Sequence, residues 1–127
     1  MANATLKYDP LDTEKAEIRL ISLVESSSSV VECHLEHASL SAQPAYKALS
    51  YCWGDANETK EIIVNGCITK VTSNLENALR RLRVRELGTF IWIDALSINQ
   101  GDAEERGHQV LRMRDIYSKA TSMSLRG

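Results

Sequence analysis

The sequence predicts an α/β fold, a sheet flanked by helices, and three stretches predict it. The first is Thr89 to Gln109, TFIWIDALSINQGDAEERGHQ. Its strand-forming run Phe90-Ile91-Trp92-Ile93 reaches Asp94, resumes as Ala95, Leu96 and Ile98, breaks into Asn99-Gln100-Gly101-Asp102, and passes at once into a helix pattern. The second is Lys60 to Val71, two β-rich runs around Asn65-Gly66. That dipeptide suits the positive φ angles of a tight hairpin turn. The third is the helix after it, where Leu75, Ala78, Leu79 and Leu82 fall at i, i+3, i+4 and i+7 and form one apolar stripe.

Taken in order, Met1 to Lys15 is polar and aperiodic and reads as a flexible N-terminal arm. Ile18 to Val24 and Val30 to Glu36 read as strands that pair as a hairpin across the serine run 26–29. His34 and His37 are three apart, which on a strand points them to opposite faces and leaves no shared metal. A loop containing Pro44 leads to a short buried strand at Ala48, Leu49 and Tyr51, closed by the turn signal Trp53-Gly54-Asp55. Trp53 there is either a core cover or the wall of a pocket.

Ser73 and Glu76 stand at capping-box spacing, and the arginines at 80, 81, 83 and 85 lie off the apolar stripe as a solvated face. The last helix is expected over Ala103 to Lys119. Asp102 is its N-cap and Glu105 the capping-box partner, with Val110, Met113, Tyr117 and Ala120 toward the core. Asp94, an acid ending an apolar strand, has two readings: a cap or loop hydrogen bond, or part of a polar cleft beyond the strand end.

Composition narrows the function classes. The chain has 127 residues, enough for one domain with its own core. A net charge of -2 offers no basic footprint for nucleic acid. Cys33, Cys52 and Cys67 are odd in number, widely spaced and without a Cys-x-x-Cys pair, so free thiols in a reducing compartment are expected. No apolar run approaches the roughly 18 residues of a membrane span, and the N-terminus has no signal-peptide core. The expected location is the cytoplasm. No Gly-rich phosphate loop, Gly-x-Ser-x-Gly elbow or metal-ligand spacing is present.

These residues resemble the HET domain, the heterokaryon-incompatibility domain of filamentous fungi. The resemblance rests on Tyr46-Lys47-Ala48-Leu49-Ser50-Tyr51-Cys52-Trp53-Gly54-Asp55, on Asn74-Leu75 with Ala78-Leu79 and Leu82-Arg83, and on Trp92-Ile93-Asp94-Ala95-Leu96-Ser97-Ile98-Asn99-Gln100. It continues through Glu105-Arg106, Gln109-Val110, Met113, Ile116-Tyr117 and Ala120. The family has a cysteine where Ser97 stands. Its pattern also runs into a strand ending Trp-Leu-Gly, where this chain reads Leu125-Arg126-Gly127. The resemblance therefore implies that 16–127 is the N-terminal part of such a domain, cut short, behind the arm 1–15.

The resemblance implies a role in fungal nonself recognition, with the domain as a cell-death effector. It also implies a flavodoxin-like sheet, because HET domains are distant relatives of TIR domains. Some TIR domains cleave NAD with a helix-borne glutamate, and Glu105 occupies a comparable place. Three readings follow. One is a signalling module working by self-association or protein contact. The second is a NAD glycohydrolase, with Glu105 catalytic, Trp53, Gly54, Asp55, Asp94, Asn99 and Gln100 around the cleft, and Arg106 on a phosphate. The third is an inactive truncated fragment.

Overall fold

In the computed structural model, residues 6–50, 57–85, 87–120 and 122–125 are described. Their backbone forms one mixed sheet with helices on both faces, the α/β class expected. Strand β1 (Glu17–Leu23) pairs antiparallel with β2 (Glu32–Ser39), the expected hairpin, with Ile21 opposite Leu35. Strand β4 (Thr59–Val64) pairs antiparallel with β5 (Cys67–Thr72). Asn65 at φ 51° and Gly66 at φ 81° supply the two left-handed residues that so tight a turn demands. Asn65 does a second job, since its Oδ1 accepts the Leu35 N–H at 2.9 Å and ties the hairpin tip to β2.

The other half of the sheet is parallel. Strands β3 (Lys47–Ser50), β6 (Ile91–Trp92) and β7 (Ser122–Leu125) run the same way, with β3 between the other two. The strand order is β5-β4-β2-β1-β6-β3-β7, so β1 joins the hairpin half to the parallel half and runs antiparallel to β6.

Period-two alternation sorts the side chains between two cores. Ile21, Leu23, Leu49, Ile91 and Ile93 face helix α1 (Ser73–Arg85) and the one-turn α2 (Asp94–Ser97), meeting Leu75, Leu79 and Leu96. Ile18, Leu20, Ala48 and Trp92 face the other way, onto Ile116, Met113 and Tyr117 of helix α3 (Ala103–Lys119). Trp92 meets Tyr117 edge to face, with ring centroids 5.4 Å apart. The Tyr46 hydroxyl, pushed up to about 12 by burial, donates to the Ile116 carbonyl at 2.5 Å and pins α3 to the sheet.

Five sequence expectations need correcting. The cap of α1 is Thr72, whose Oγ1 accepts the Leu75 N–H at 3.2 Å. The Ser73 hydroxyl donates instead to the Glu58 carbonyl, and Glu76 is buried against Arg80, so no Ser73–Glu76 capping box forms. The arginine run is only partly a solvated face. Arg80 donates to the Ser29 carbonyl at 2.7 Å and Arg83 to that of Ser28 at 3.0 Å, clasping the serine loop of the first hairpin.

Val110 does not face the core. It is 53% exposed, while Gln109 and Ile116 are buried, because α3 is rotated to turn Glu105 inward. Finally, Asp94 to Ser97 is a helical turn, not a continuing apolar run. The lead-in read as an arm is tied to the body from Leu6 onward: Leu6 packs on the first core and the Tyr8 hydroxyl donates to the Leu96 carbonyl at 3.0 Å.

Leu79 is fully buried under the sheet, so Leu79→Ala should lower unfolding free energy by about 2–5 kcal/mol. Val110→Ser should change it by no more than about 0.5 kcal/mol. Urea denaturation of the two variants checks the assigned rotation of both helices.

Candidate functional site

Strands β3 and β6 are parallel neighbours, with Ala48 opposite Trp92, and the Lys47 N–H donates to the Phe90 carbonyl at 2.9 Å. Parallel neighbours leave a sheet at the same edge, so the connections after Ser50 and after Trp92 start side by side. Trp53, Gly54 and Asp55 lie outside the described residues. The second tip, Asp94 to Arg106, is described in full.

This tip is built from local hydrogen bonds. Ile93 precedes α2 in an extended conformation without a side-chain cap, yet its N–H is satisfied by Ser97 Oγ at 3.1 Å. Ser97 returns its own N–H to the Ile93 carbonyl at 2.7 Å. The work of Ser97 here is to close this turn. The Asp94 carbonyl accepts the Ile98 N–H at 3.3 Å and the Gln100 side-chain amide at 2.9 Å. The Asp94 carboxyl is half-buried. Burial raises its pKa above the usual aspartate value, against a smaller downward pull from the backbone N–H groups of Ala95 and Asp94.

The loop closes on itself through three polar residues. Asn99 Oδ1 accepts the Gly101 N–H at 3.1 Å, the Asp102 carboxylate caps α3 by accepting the Glu105 N–H at 3.1 Å, and Arg106 donates to the Gln100 carbonyl at 2.7 Å. Gln100 and Arg106 are exposed, with Asn99 half-buried beside them. Asp94, Asn99, Gln100 and Arg106 are thus brought together in one turn-loop-helix corner, where the exposed Gln100 and Arg106 side chains each make one local hydrogen bond.

Glu105 is used differently from its neighbours. The expected capping box needs its carboxylate to reach back to the N-cap, but the carboxylate turns inward. One oxygen accepts the Asn99 N–H at 2.7 Å and Arg19 Nη1 at 2.5 Å, and the other accepts Arg19 Nη2 at 2.9 Å. The pair is sealed, with the Arg19 side chain 2% and the Glu105 side chain 9% exposed. Arg19 also donates to the carbonyls of Ser97 at 3.2 Å and Asp9 at 2.7 Å, and its guanidinium lies 4.6 Å from the centroid of the Tyr8 ring.

Arg19 was not singled out from the sequence, although a signal was there. It interrupts Ile18-Arg19-Leu20-Ile21, and a charge inside a core strand must find a partner.

Glu105 lines one cleft, and Tyr8, whose ring lies over Arg19, lines another. One, of about 250 Å³, is lined by Pro10, Leu11, Thr13, Glu104, Glu105 and Gln109 among others. The other, of about 320 Å³, lies between Tyr8, Thr59, Thr72, Leu75, Ala95 and Leu96. Neither is lined by Asp94, Asn99, Gln100 or Arg106. Among the described residues, no group of three or more His, Cys, Asp and Glu side chains could hold a metal ion. His37 contacts Glu17 at 3.3 Å, and His34 is exposed. Cys33 and Cys67 are free thiols, that of Cys33 pushed up to about 12 by burial, and Cys52 lies outside the described residues. No helix among the described residues is long and apolar enough to cross a membrane.

Residues 46–125 match the family model described as heterokaryon incompatibility protein (HET). Over 136 aligned residues the chain is 39% identical to the heterokaryon incompatibility protein 6, OR allele, of Neurospora crassa. The alignment covers 94% of this chain and 20% of that protein, so the chain spans about a fifth of the relative's length. No solved structure matches it.

Glu105→Gln leaves a buried guanidinium without its counter-charge and should cost about 3–5 kcal/mol. Equilibrium denaturation measures it. Asp94 gives a pH signature of known sign. Its folded-state pKa is raised, so its contribution is fully present below the ordinary aspartate range and is lost as pH rises through the raised value. Asp94→Asn should therefore be more stable than the parent at neutral pH, the gap closing on acidification. Melting temperatures across the acid range check it.

Proposed function

This chain belongs to the heterokaryon-incompatibility (HET) family, and on that premise we propose that it is a recognition module of fungal nonself responses. It acts in the cytoplasm as a cell-death effector, through self-association or contact with a protein partner. The name of the Neurospora crassa relative supports the biological setting.

One observation carries the choice of a contact module over an enzyme. Both oxygens of Glu105 are engaged by Arg19 and the Asn99 N–H inside the protein. A glycohydrolase needs a carboxylate that meets the developing charge on the sugar, and one sealed against a guanidinium does not offer itself. The parallel strands β3, β6 and β7, with α3 leading into β7, support a distant TIR-like comparison of the backbone only. The contact surface is the corner formed by Asp94, Asn99, Gln100 and Arg106. Strand β3, which ends at Ser50, is the parallel neighbour of β6 beside this corner.

Expression in a fungal host tests this, with growth and cellular NAD followed together. The expected result is growth arrest at unchanged NAD, abolished by the double surface change Gln100→Ala and Arg106→Ala in a chain that still folds. NAD falling in step with toxicity would instead establish the NAD glycohydrolase.

A further inference from the structure

Residues 6–13 lie on the body as a strap without regular secondary structure before Thr13. Leu6 packs on the first core, the Tyr8 ring covers Arg19, and the Tyr8 hydroxyl reaches the Leu96 carbonyl. The Asp9 carbonyl takes a guanidinium N–H of Arg19, and the Thr13 carbonyl takes one from Arg112 at 2.8 Å. The strap separates the two clefts, with Tyr8 at the edge of one and Pro10, Leu11 and Thr13 at the edge of the other. It is held as a bound peptide is held, by an aromatic anchor, an apolar anchor and carbonyls taken by arginines.

The strap joins β1 through a turn that stores strain. Asp12 accepts from the N–H groups of Lys15 and Glu17, and Thr13 accepts from that of Ala16, each at 3.2 Å. Ala16 sits at φ 52°, a left-handed conformation that puts an L-alanine Cβ against its own backbone. Opening the turn into extended chain would release that strain. A short strained hinge beside a peptide-like segment is the arrangement that favours exchange of the segment between copies, because the contacts of the segment are recovered from the partner and only those of the turn are lost.

We infer that the groove over Arg19 is a docking site for residues 6–13 of a second copy, so that two chains exchange straps and each completes the other's Tyr8–Arg19–Glu105 cluster. The closed monomer keeps its strap in place at the cost of Ala16. The exchanged dimer keeps the contacts of the strap, gives up the three hydrogen bonds of each turn and relaxes both hinges, and rising concentration favours it. This rests on the self-association part of the proposed function and adds a second surface to it, apart from the corner of Gln100 and Arg106.

Light scattering on the full chain over a range of concentrations reads the equilibrium. Ala16→Gly removes the strain from the closed form and should raise the dimer dissociation constant at least about tenfold, since a left-handed residue costs roughly enough for that factor. Ala16→Val, which tolerates the left-handed region worse, should lower it. Placing photoreactive benzoylphenylalanine at position 8 and mixing with a tagged chain of native sequence should give a covalent product between copies, mapped near Leu96. Dimers whose crosslinks stay within one copy overturn the exchange and leave self-association standing. Monomers at every concentration in all three chains overturn both.

Discussion

One buried ion pair governs how the parts of this domain meet. Arg19 comes from the middle of β1 and Glu105 from the first turn of α3, and neither has appreciable contact with water. Removing two charges from water costs several kcal/mol per ion, returned only if the geometry is good and the remaining donors and acceptors are filled. Here four of the five guanidinium donors have a geometric reason to be where they are: two meet the Glu105 carboxylate, and the same two nitrogens reach the Ser97 and Asp9 carbonyls. Only Nε is left without a partner. The pair therefore acts on arrangement more than on net stability. It places the end of α2, the loop before α3, the rotation of α3 and the strap, all against one strand.

What could be read in the sequence was whatever local chemistry decides. The Asn65-Gly66 turn, the apolar stripe of α1 and the Asp102 cap of α3 each depend on residues within a few positions of one another, and each is formed as expected. The misreadings were decided at long range. Thr72 rather than Ser73 caps α1 because the β5 ladder runs up to Thr72 and the helix starts directly after it. Val110 turns outward and Gln109 inward because Glu105 must face Arg19, a contact that helical spacing alone does not contain. Arg80 and Arg83 find the Ser28 and Ser29 carbonyls across the fold, where a helix read alone shows only a charged face.

The candidate site shows the same division. That an acid and a run of amides follow a strand and precede a helix is plain from the residues. That Asp94 begins a helical turn, that Ser97 closes it, and that Glu105 is withdrawn from the surface follow only from the packing of that corner against β1. The residues left facing solvent, Gln100 and Arg106, are those whose own hydrogen bonds are local and whose long side chains keep most of their reach. Chemistry that needs a free carboxylate and recognition that needs exposed amide and guanidinium groups make different demands on this corner.

The place of β1 sets the order in which the sheet is completed during synthesis. Its partner on one side, β2, is the next strand in the chain, but its partner on the other, β6, is made only after β3, β4, β5 and α1. Until then the hairpin half presents the bare edge of β1, an apolar strand with a charge at its centre. An unpaired Arg19 on that edge discourages premature pairing with another nascent chain, which would have to bury the cation without an anion. The same side chain that later knits the domain together thus guards its most exposed edge while the rest is still being translated.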